Sequence, residues 1–201
     1  AWKIFPKAEL EMKTASGLSL KLYNRADFPV LQEIFIQSFY TPFLERIGPV
    51  RSWVDLGCNC ALFSLFLEDY ARLHDWPGPR EALLVDANTR ALKSARASIE
   101  KSGLNKELRI TEGVAGPMPG PVSFYDSRNT FRSSIFSPAE KESPRTVEAL
   151  DLEALTASME KPMDLLKADI EGSEGPLVDN SGNWLKHFRH LIIEWYPKPH
   201  I

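Results

Sequence analysis

Short apolar runs, each ending on an acid, set the rhythm of this chain: Ser52-Trp53-Val54-Asp55-Leu56-Gly57, Ala82-Leu83-Leu84-Val85-Asp86-Ala87, Asp164-Leu165-Leu166-Lys167-Ala168-Asp169 and Leu191-Ile192-Ile193-Glu194. Unbroken apolar runs between helix-like stretches are the pattern of parallel strands buried on both faces. The helix-like stretches carry a 3.6-residue period. One runs from Ala61 to His74 with Leu62, Leu65, Phe66 and Leu73 toward the sheet, and another from Ala91 to Lys101, capped by Asn88 or Thr89 and closed by Gly103. Leu108 to Thr111 reads as a third, shorter strand, and the stretch from Gly172 to Phe188 as a helix interrupted at Asn180 to Gly182. The predicted fold is therefore α/β, a mostly parallel twisted sheet with helices on both faces.

Before and within that core the pattern changes. Residues 1–50 read as a lead-in segment packed on a domain that spans 51–201. Its Leu18, Leu20 and Leu22 alternate with polar positions as a half-exposed strand. Asp27 caps a helix with Pro29 in its first turn and Val30, Leu31, Ile34, Phe35 and Phe39 as an apolar stripe, while Pro42 and Gly48-Pro49 punctuate. At about 114–144 the alternation breaks. Gly116, Pro117, Pro119, Gly120 and Pro121 cluster, Val122 to Tyr125 reads as a strand, and a polar stretch from Asp126 to Ser134 follows. This is either an excursion over a ligand crevice or a surface loop. Thr146 to Leu150 then reads as a strand, and Asp151 as the cap of a short helix.

Composition narrows the function classes. The chain of 201 residues is 43% apolar with a net charge of −3, enough for one domain with a sizeable core and without a basic footprint for nucleic acid. It has no apolar stretch near the ~20 residues of a membrane span and no signal-peptide pattern, so the expectation is a cytoplasmic protein with no membrane partner. Cys58 and Cys60 are too close for a useful disulfide and lack the companions of a zinc site.

Ligands of parallel sheets bind outside the carboxyl ends of the strands, so the terminal acids are expected along one crevice. Asp55-Leu56-Gly57-Cys58-Asn59-Cys60 places an acid at a strand end, a glycine at a tight turn and small residues where a ligand nears the backbone. The G-x-G-x-x-G pyrophosphate pattern is absent. An acid two residues before a glycine suits a ligand with an ammonium group, as S-adenosylmethionine has; the structural alternative is an Asp accepting from loop amides. Asp86, farther along than the ~20 residues typical of a dinucleotide acid, is suited to accept from both ribose hydroxyls.

With these blocks in order, the chain resembles the FkbM-type S-adenosylmethionine-dependent methyltransferases over about residues 20–195. The blocks are Tyr23-Asn24-Arg25-Ala26-Asp27, Val54 to Asn59, Val85-Asp86-Ala87-Asn88, Ala149-Leu150-Asp151, Asp164 to Glu174 and Ile192-Ile193-Glu194. The resemblance implies a Rossmann-like methyltransferase fold whose C-terminal strand pair is missing here, and O-methylation of a sugar or other small natural product. Asp55, Gly57, Cys58 and Asn59 would hold the methionine part, Asp86 and Ala87 the ribose, and Gly113 and Val114 the adenine edge, with Asp169 also on the cofactor. Ala61 stands where the family has glycine, a methyl that is tolerated if the cofactor sits slightly higher or that otherwise marks weakened binding.

Along the fourth block, alternation puts Lys167 and Asp169 on one face, with Glu171 just beyond. A buried lysine is costly unless paired. Asp169 or Glu171, with Glu194 close by, is the expected base for a hydroxyl proton. The residue pattern also allows a structural ion-pair network, or a magnesium ion on Asp169, Glu171 and Glu194, and selects neither. His74, His187, His190 and His200 read as solvated or capping residues, Arg128 and Arg132 as surface residues before a grip on an anionic substrate, and Trp195 and Tyr196 as core packing before a lining of the acceptor pocket. A small-molecule or glycan acceptor leads, against a macromolecular acceptor or a cofactor-binding module without catalysis. An open sheet edge would favour a homo-oligomer.

Overall fold

The computed structural model describes residues 9–25, 27–115, 119–124 and 144–195. Its centre is a five-stranded, all-parallel sheet built from β3 (Ser52–Leu56), β4 (Glu81–Asp86), β5 (Leu108–Glu112), β8 (Met163–Ala168) and β9 (Phe188–Ile193), in the order β5-β4-β3-β8-β9. The chain walks outward from β3 through β4 to β5, then returns to the other side of β3 for β8 and β9. That reversal makes the β3/β8 junction a topological switch point, where the crevice of such sheets opens.

Alternation divides each central strand between two cores. Trp53, Ala82, Leu84 and Leu165 face α3 (Leu62–Leu73) and α4 (Thr89–Lys101), whereas Val54, Leu56, Leu83, Val85, Leu166 and Ala168 face the layer of α5 (Leu152–Leu155), α6 (Glu174–Asn180) and α7 (Gly182–Leu185). The helices thus lie on both faces, as expected. Asn88 caps α4 by accepting from the Arg90 and Ala91 amides, and Asp151 caps α5 through the Ala154 amide. No helix of the described residues is long and apolar enough to cross a membrane.

The N-terminal strand stands outside this sheet. β1 (Leu10–Lys13) and β2 (Ser19–Leu22) form an antiparallel pair, and the other edge of β2 lies on α4. There the backbone N–H groups of Ser19, Lys21 and Tyr23 donate to the hydroxyls of Ser102, Ser98 and Ser94 at 2.9, 2.8 and 3.1 Å. The Ser98 and Ser102 hydroxyls in turn donate to the carbonyls of Lys21 and Ser19. Four helical residues advance ~6 Å and two strand residues ~6.6 Å, so a serine every fourth position keeps step with every second strand residue. A strand edge is satisfied by a helix.

Several sequence expectations change. Asp27 is buried in the first turn of α1 (Asp27–Leu31), which runs into a π-helical turn at Gln32–Ile36; Leu31 and Ile34 are buried, but Phe39 is exposed. Pro42 opens a helix, α2 (Thr41–Ile47), instead of punctuating, because proline fits a first helical turn. Leu73 is exposed at the end of α3, beyond the sheet's reach, and Trp195 is exposed after β9 rather than packed in a core. The excursion contributes an antiparallel pair, β6 (Gly120–Phe124) and β7 (Arg145–Ala149), separate from the main sheet. Ala26, Gly116, Pro117, the polar stretch with Arg128 and Arg132, Tyr196 and His200 lie outside the described residues.

Candidate active site

The site begins with a buried ion pair. Lys167 on β8 lies directly beside Asp55 on β3, and the alternation that turns Trp53 and Leu165 toward α3 turns both charged side chains the same way. Asp55 is fully buried, and its Oδ1 lies 3.5 Å from Lys167 Nζ. The Ser64 hydroxyl on α3 donates to Asp55 Oδ2 at 2.8 Å and accepts from the Trp53 indole at 3.0 Å. Lys167 Nζ also donates to the Gly57 carbonyl at 3.1 Å and reaches Asp169 Oδ2 at 3.5 Å. Burial works against the lysine's charge, but Asp169 and Asp55 beside it hold its pKa above the usual lysine range. Burial pushes Asp55 up, while Lys167 and Ser64 pull against it. Asp55, expected to touch a ligand, is thus an internal anchor beneath the crevice floor.

Above this anchor the loop after β3 presses on the end of β8. The Asp169 amide donates to the Leu56 carbonyl at 3.0 Å. Gly57 has φ 72, and a Cβ there would lie 1.8 Å from the Asp169 carbonyl oxygen, so only glycine permits this approach. The Gly57 and Cys58 amides both donate to the Val85 carbonyl, which takes them out of reach of a ligand. Cys58 and Cys60 are buried and free, and burial drives both thiols up, leaving them unreactive fillers. Asn59 is left-handed with φ 50, and its amide donates to Asp86 Oδ2 at 2.7 Å.

Asp86 is half-buried at the end of β4. Each oxygen takes one backbone amide, Asn88 at 2.7 Å on Oδ1 and Asn59 on Oδ2, leaving further lone pairs on both. Burial pushes its pKa up to about 6, against the pull of those amides and Lys167. Three oxygens here are buried without a hydrogen-bond partner: Asp55 Oδ1, which faces the Lys167 ammonium at 3.5 Å, and Asn59 Oδ1 and Asp169 Oδ1. Buried polar atoms are rarely left so, and those at one strand-end crevice are natural contacts for a ligand.

The second half of the site is the turn after β8. Glu171 is left-handed with φ 52, an unfavourable backbone for a side chain of this kind. Burial first, then Asp169, Glu194 and Glu174, push its pKa up to about 8. Glu194 follows β9, its amide donating to the Ala168 carbonyl at 2.9 Å. Asp169, Glu171 and Glu194 therefore share one neighbourhood. Among the described residues no three His, Cys, Asp or Glu side chains are arranged to hold a metal ion, so these carboxylates do not form the ligand set that magnesium would need.

The expected adenine edge and ribose neighbour differ more. The Gly113 amide donates to the Asp86 carbonyl and the Val114 amide to the Glu148 carbonyl, while the Val114 carbonyl accepts from Leu150. A Cβ at Gly113 would lie 2.7 Å from Leu150, so that glycine serves packing against the end of β7. Neither amide is left for an adenine. Ala87 is buried with Phe124 and Val147, and its carbonyl accepts from Arg145, placing it against the β6/β7 pair.

Three participants escaped the sequence reading. Tyr40, buried at the start of α2 against Phe63, feels Lys167, Asp169, Asp55 and Glu194; burial chiefly pushes its pKa up to about 12. Ser64 looked like a helix position and Glu174 like a helix start. Of the histidines, His74 stacks on Tyr70, His187 lies 3.7 Å from Glu153, and His190 sits in β9 rather than at a helix end. A separate open cleft of about 600 Å³, lined by Asp151, Glu153, Asn180 and Lys186, holds none of the expected site residues.

No family model matches this chain, and no curated protein does. Solved structures similar to it include M. capricolum TrmK in complex with the cofactor product S-adenosyl-homocysteine, at 14% identity over 75% of this chain and 50% of that one, with a TM-score of 0.44. The methyltransferase domain of METTL16 in a second crystal form is 12% identical over 90% of this chain and 69% of that one, with a TM-score of 0.46. The N-terminal domain of human METTL16 in complex with S-adenosyl-homocysteine is 12% identical over 81% and 55%, with a TM-score of 0.43. The chain thus spans about half the length of the first of these structures.

Proposed function

We propose that the chain binds S-adenosylmethionine in the crevice over β3, β4 and β8 and methylates a hydroxyl of a neutral small molecule or glycan, in the manner of the FkbM-type enzymes that its sequence blocks resemble. The observation that carries this reading is the meeting, at one set of strand ends, of a half-buried Asp86 with spare lone pairs and the unpartnered oxygens of Asn59 and Asp169. These groups fit the cofactor. Asp86 would take the ribose hydroxyls, and Asn59 and Asp169 the ammonium end of the methionine part, with the Gly57 turn giving the approach. Bound there, the cofactor supplies a methyl group on a cationic sulfur.

The chain's own residues then have two tasks. Lys167, held by Asp55, fixes Asp169 and the Gly57 carbonyl, so that the floor of the crevice is preset before anything binds. A carboxylate among Asp169, Glu171 and Glu194 holds the proton that the acceptor hydroxyl gives up. The gathering of Asp169, Glu171 and Glu194 at these strand ends disfavours an acceptor with a bare phosphate chain, which supports a neutral one.

Calorimetry tests the reading. The folded chain is expected to bind S-adenosylmethionine, and Asp86→Ala to weaken binding at least tenfold, since charge-assisted hydrogen bonds contribute about 1.5–3 kcal/mol each. A folded wild-type chain that binds neither S-adenosylmethionine nor S-adenosyl-homocysteine ends the proposal.

A further inference from the structure

Glu174, the first residue of α6, carries a carboxylate that is 0% exposed and has no cation as a partner among the described residues. Its Oε1 accepts from the Ile170 amide at 2.9 Å and its Oε2 from the Gly172 amide at 3.0 Å. Those two amides lie on either side of Glu171. One buried side chain therefore grips the backbone before and after the residue that has φ 52. Left-handed backbone is strained for a non-glycine residue, and two charge-assisted hydrogen bonds are enough to hold it there.

The two candidate bases are not equivalent. Asp169 lies 3.5 Å from the Lys167 ammonium and is engaged in an ion pair. Among the described residues Glu171 is faced by Asp169 at the end of β8, Glu194 at the end of β9 and Glu174 at the start of α6, with the Lys167 ammonium opposing them. Carboxylates crowding a carboxylate favour its protonated form, so Glu171 is suited to take up a proton.

Resting on the methyl-transfer reading above, we propose that Glu171 is the group that receives the acceptor's hydroxyl proton and that Glu174 is the positioning residue that clamps it among the crevice carboxylates, while Asp169 stays paired with Lys167. A carboxylate clamp of this kind is specific in its chemistry. Glutamine at 174 would accept from one amide only and turn an N–H toward the other.

The test uses the full chain without cofactor, labelled with carboxyl-¹³C glutamate and titrated by NMR, with Glu171→Gln assigning the Glu171 signal. In the wild type that signal is expected to titrate above pH 7, and in Glu174→Gln its midpoint should fall by a pH unit or more while the thermal unfolding midpoint shows a folded chain. A folded Glu174→Gln that keeps the wild-type midpoint overturns the clamp, as does a wild-type Glu171 that titrates like an ordinary glutamate. Should the variant not fold, hydrogen exchange on the wild type decides. The Ile170 and Gly172 amides are expected to be protected at least 100-fold, and exchange at free-loop rates overturns the proposal. Because none of these readouts involves S-adenosylmethionine, their failure is distinct from a failure of the calorimetry above.

Discussion

Two buried polar networks in this molecule close in different ways. In the ladder between β2 and α4, each serine hydroxyl meets a backbone group, and strand and helix are joined with nothing left over. At the ends of β3, β4 and β8, the Lys167 network is held below by Ser64, the Gly57 carbonyl and the ion pair with Asp55, but leaves Asn59 Oδ1 and Asp169 Oδ1 unmatched above. The first network completes a fold. The second stops short, at the switch point where a ligand belongs, and it also holds the left-handed Glu171.

The largest effect should come from the anchor. Removing one partner of a buried ion pair strands the other charge, at a cost of about 3–5 kcal/mol. Lys167→Met is therefore expected to lower the unfolding free energy in urea by that amount, and the double substitution Lys167→Met with Asp55→Leu to recover most of it. A single variant as stable as the wild type would mean that the pair is not desolvated.

Glu171 should shape the pH dependence. A carboxyl group raised from 4.5 to about 8 on folding costs stability as it ionises, so its contribution is intact below about pH 4.5 and is lost as pH rises through 8. The wild type should accordingly weaken over that window. Glu171→Gln should match it at pH 4.5 and exceed it at pH 8.5 by on the order of 2–4 kcal/mol, read from urea midpoints at each pH. Parallel curves for the two proteins would show that Glu171 is not crowded by its neighbours.

How much of this was legible in the sequence follows from the range of the interactions. The strands β3, β4 and β8 are visible as apolar runs because burial on both faces is written into each strand's own residues. The shared face of Lys167 and Asp169 follows from alternation. That Lys167 meets Asp55 does not, because it depends on β8 lying beside β3 across most of the chain. Tyr40 and Ser64 were hidden for the same reason, since neither carries a local mark of its neighbours. Leu10–Lys13 shows no alternation because most of it is exposed, and among the described residues β2 is the one strand it pairs with. At Gly113 the sequence does not separate a glycine required by Leu150 from a glycine required by a ligand.

The ladder should respond more mildly than the anchor. Ser98→Ala leaves the Lys21 amide without its 2.8 Å acceptor, at a cost of about 1–2 kcal/mol, and hydrogen exchange at Lys21 should quicken while exchange in β3 and β8 changes only with global stability. Affinity for S-adenosylmethionine should stay as it was. Exchange that quickens equally in both regions would merge the two networks into one cooperative unit.

The smallest effect is expected at Ala61, the residue that sequence comparison marked as a weak point for cofactor binding. It has φ 61 at the start of α3, where glycine would be free of strain, and its methyl is wholly buried rather than turned to the crevice. Ala61→Gly relieves about 1–2 kcal/mol of left-handed strain but gives up about 0.8 kcal/mol of buried methyl and adds about 0.4–1 kcal/mol of chain entropy in the unfolded state. These terms nearly cancel, so stability should stay within about 1 kcal/mol of the wild type. Affinity for S-adenosylmethionine should likewise change by less than about threefold, a difference of under ~0.7 kcal/mol. Tenfold tighter binding by Ala61→Gly would place the methyl against the ligand after all, and would move the floor of the crevice from Gly57 and Asp169 toward the first turn of α3.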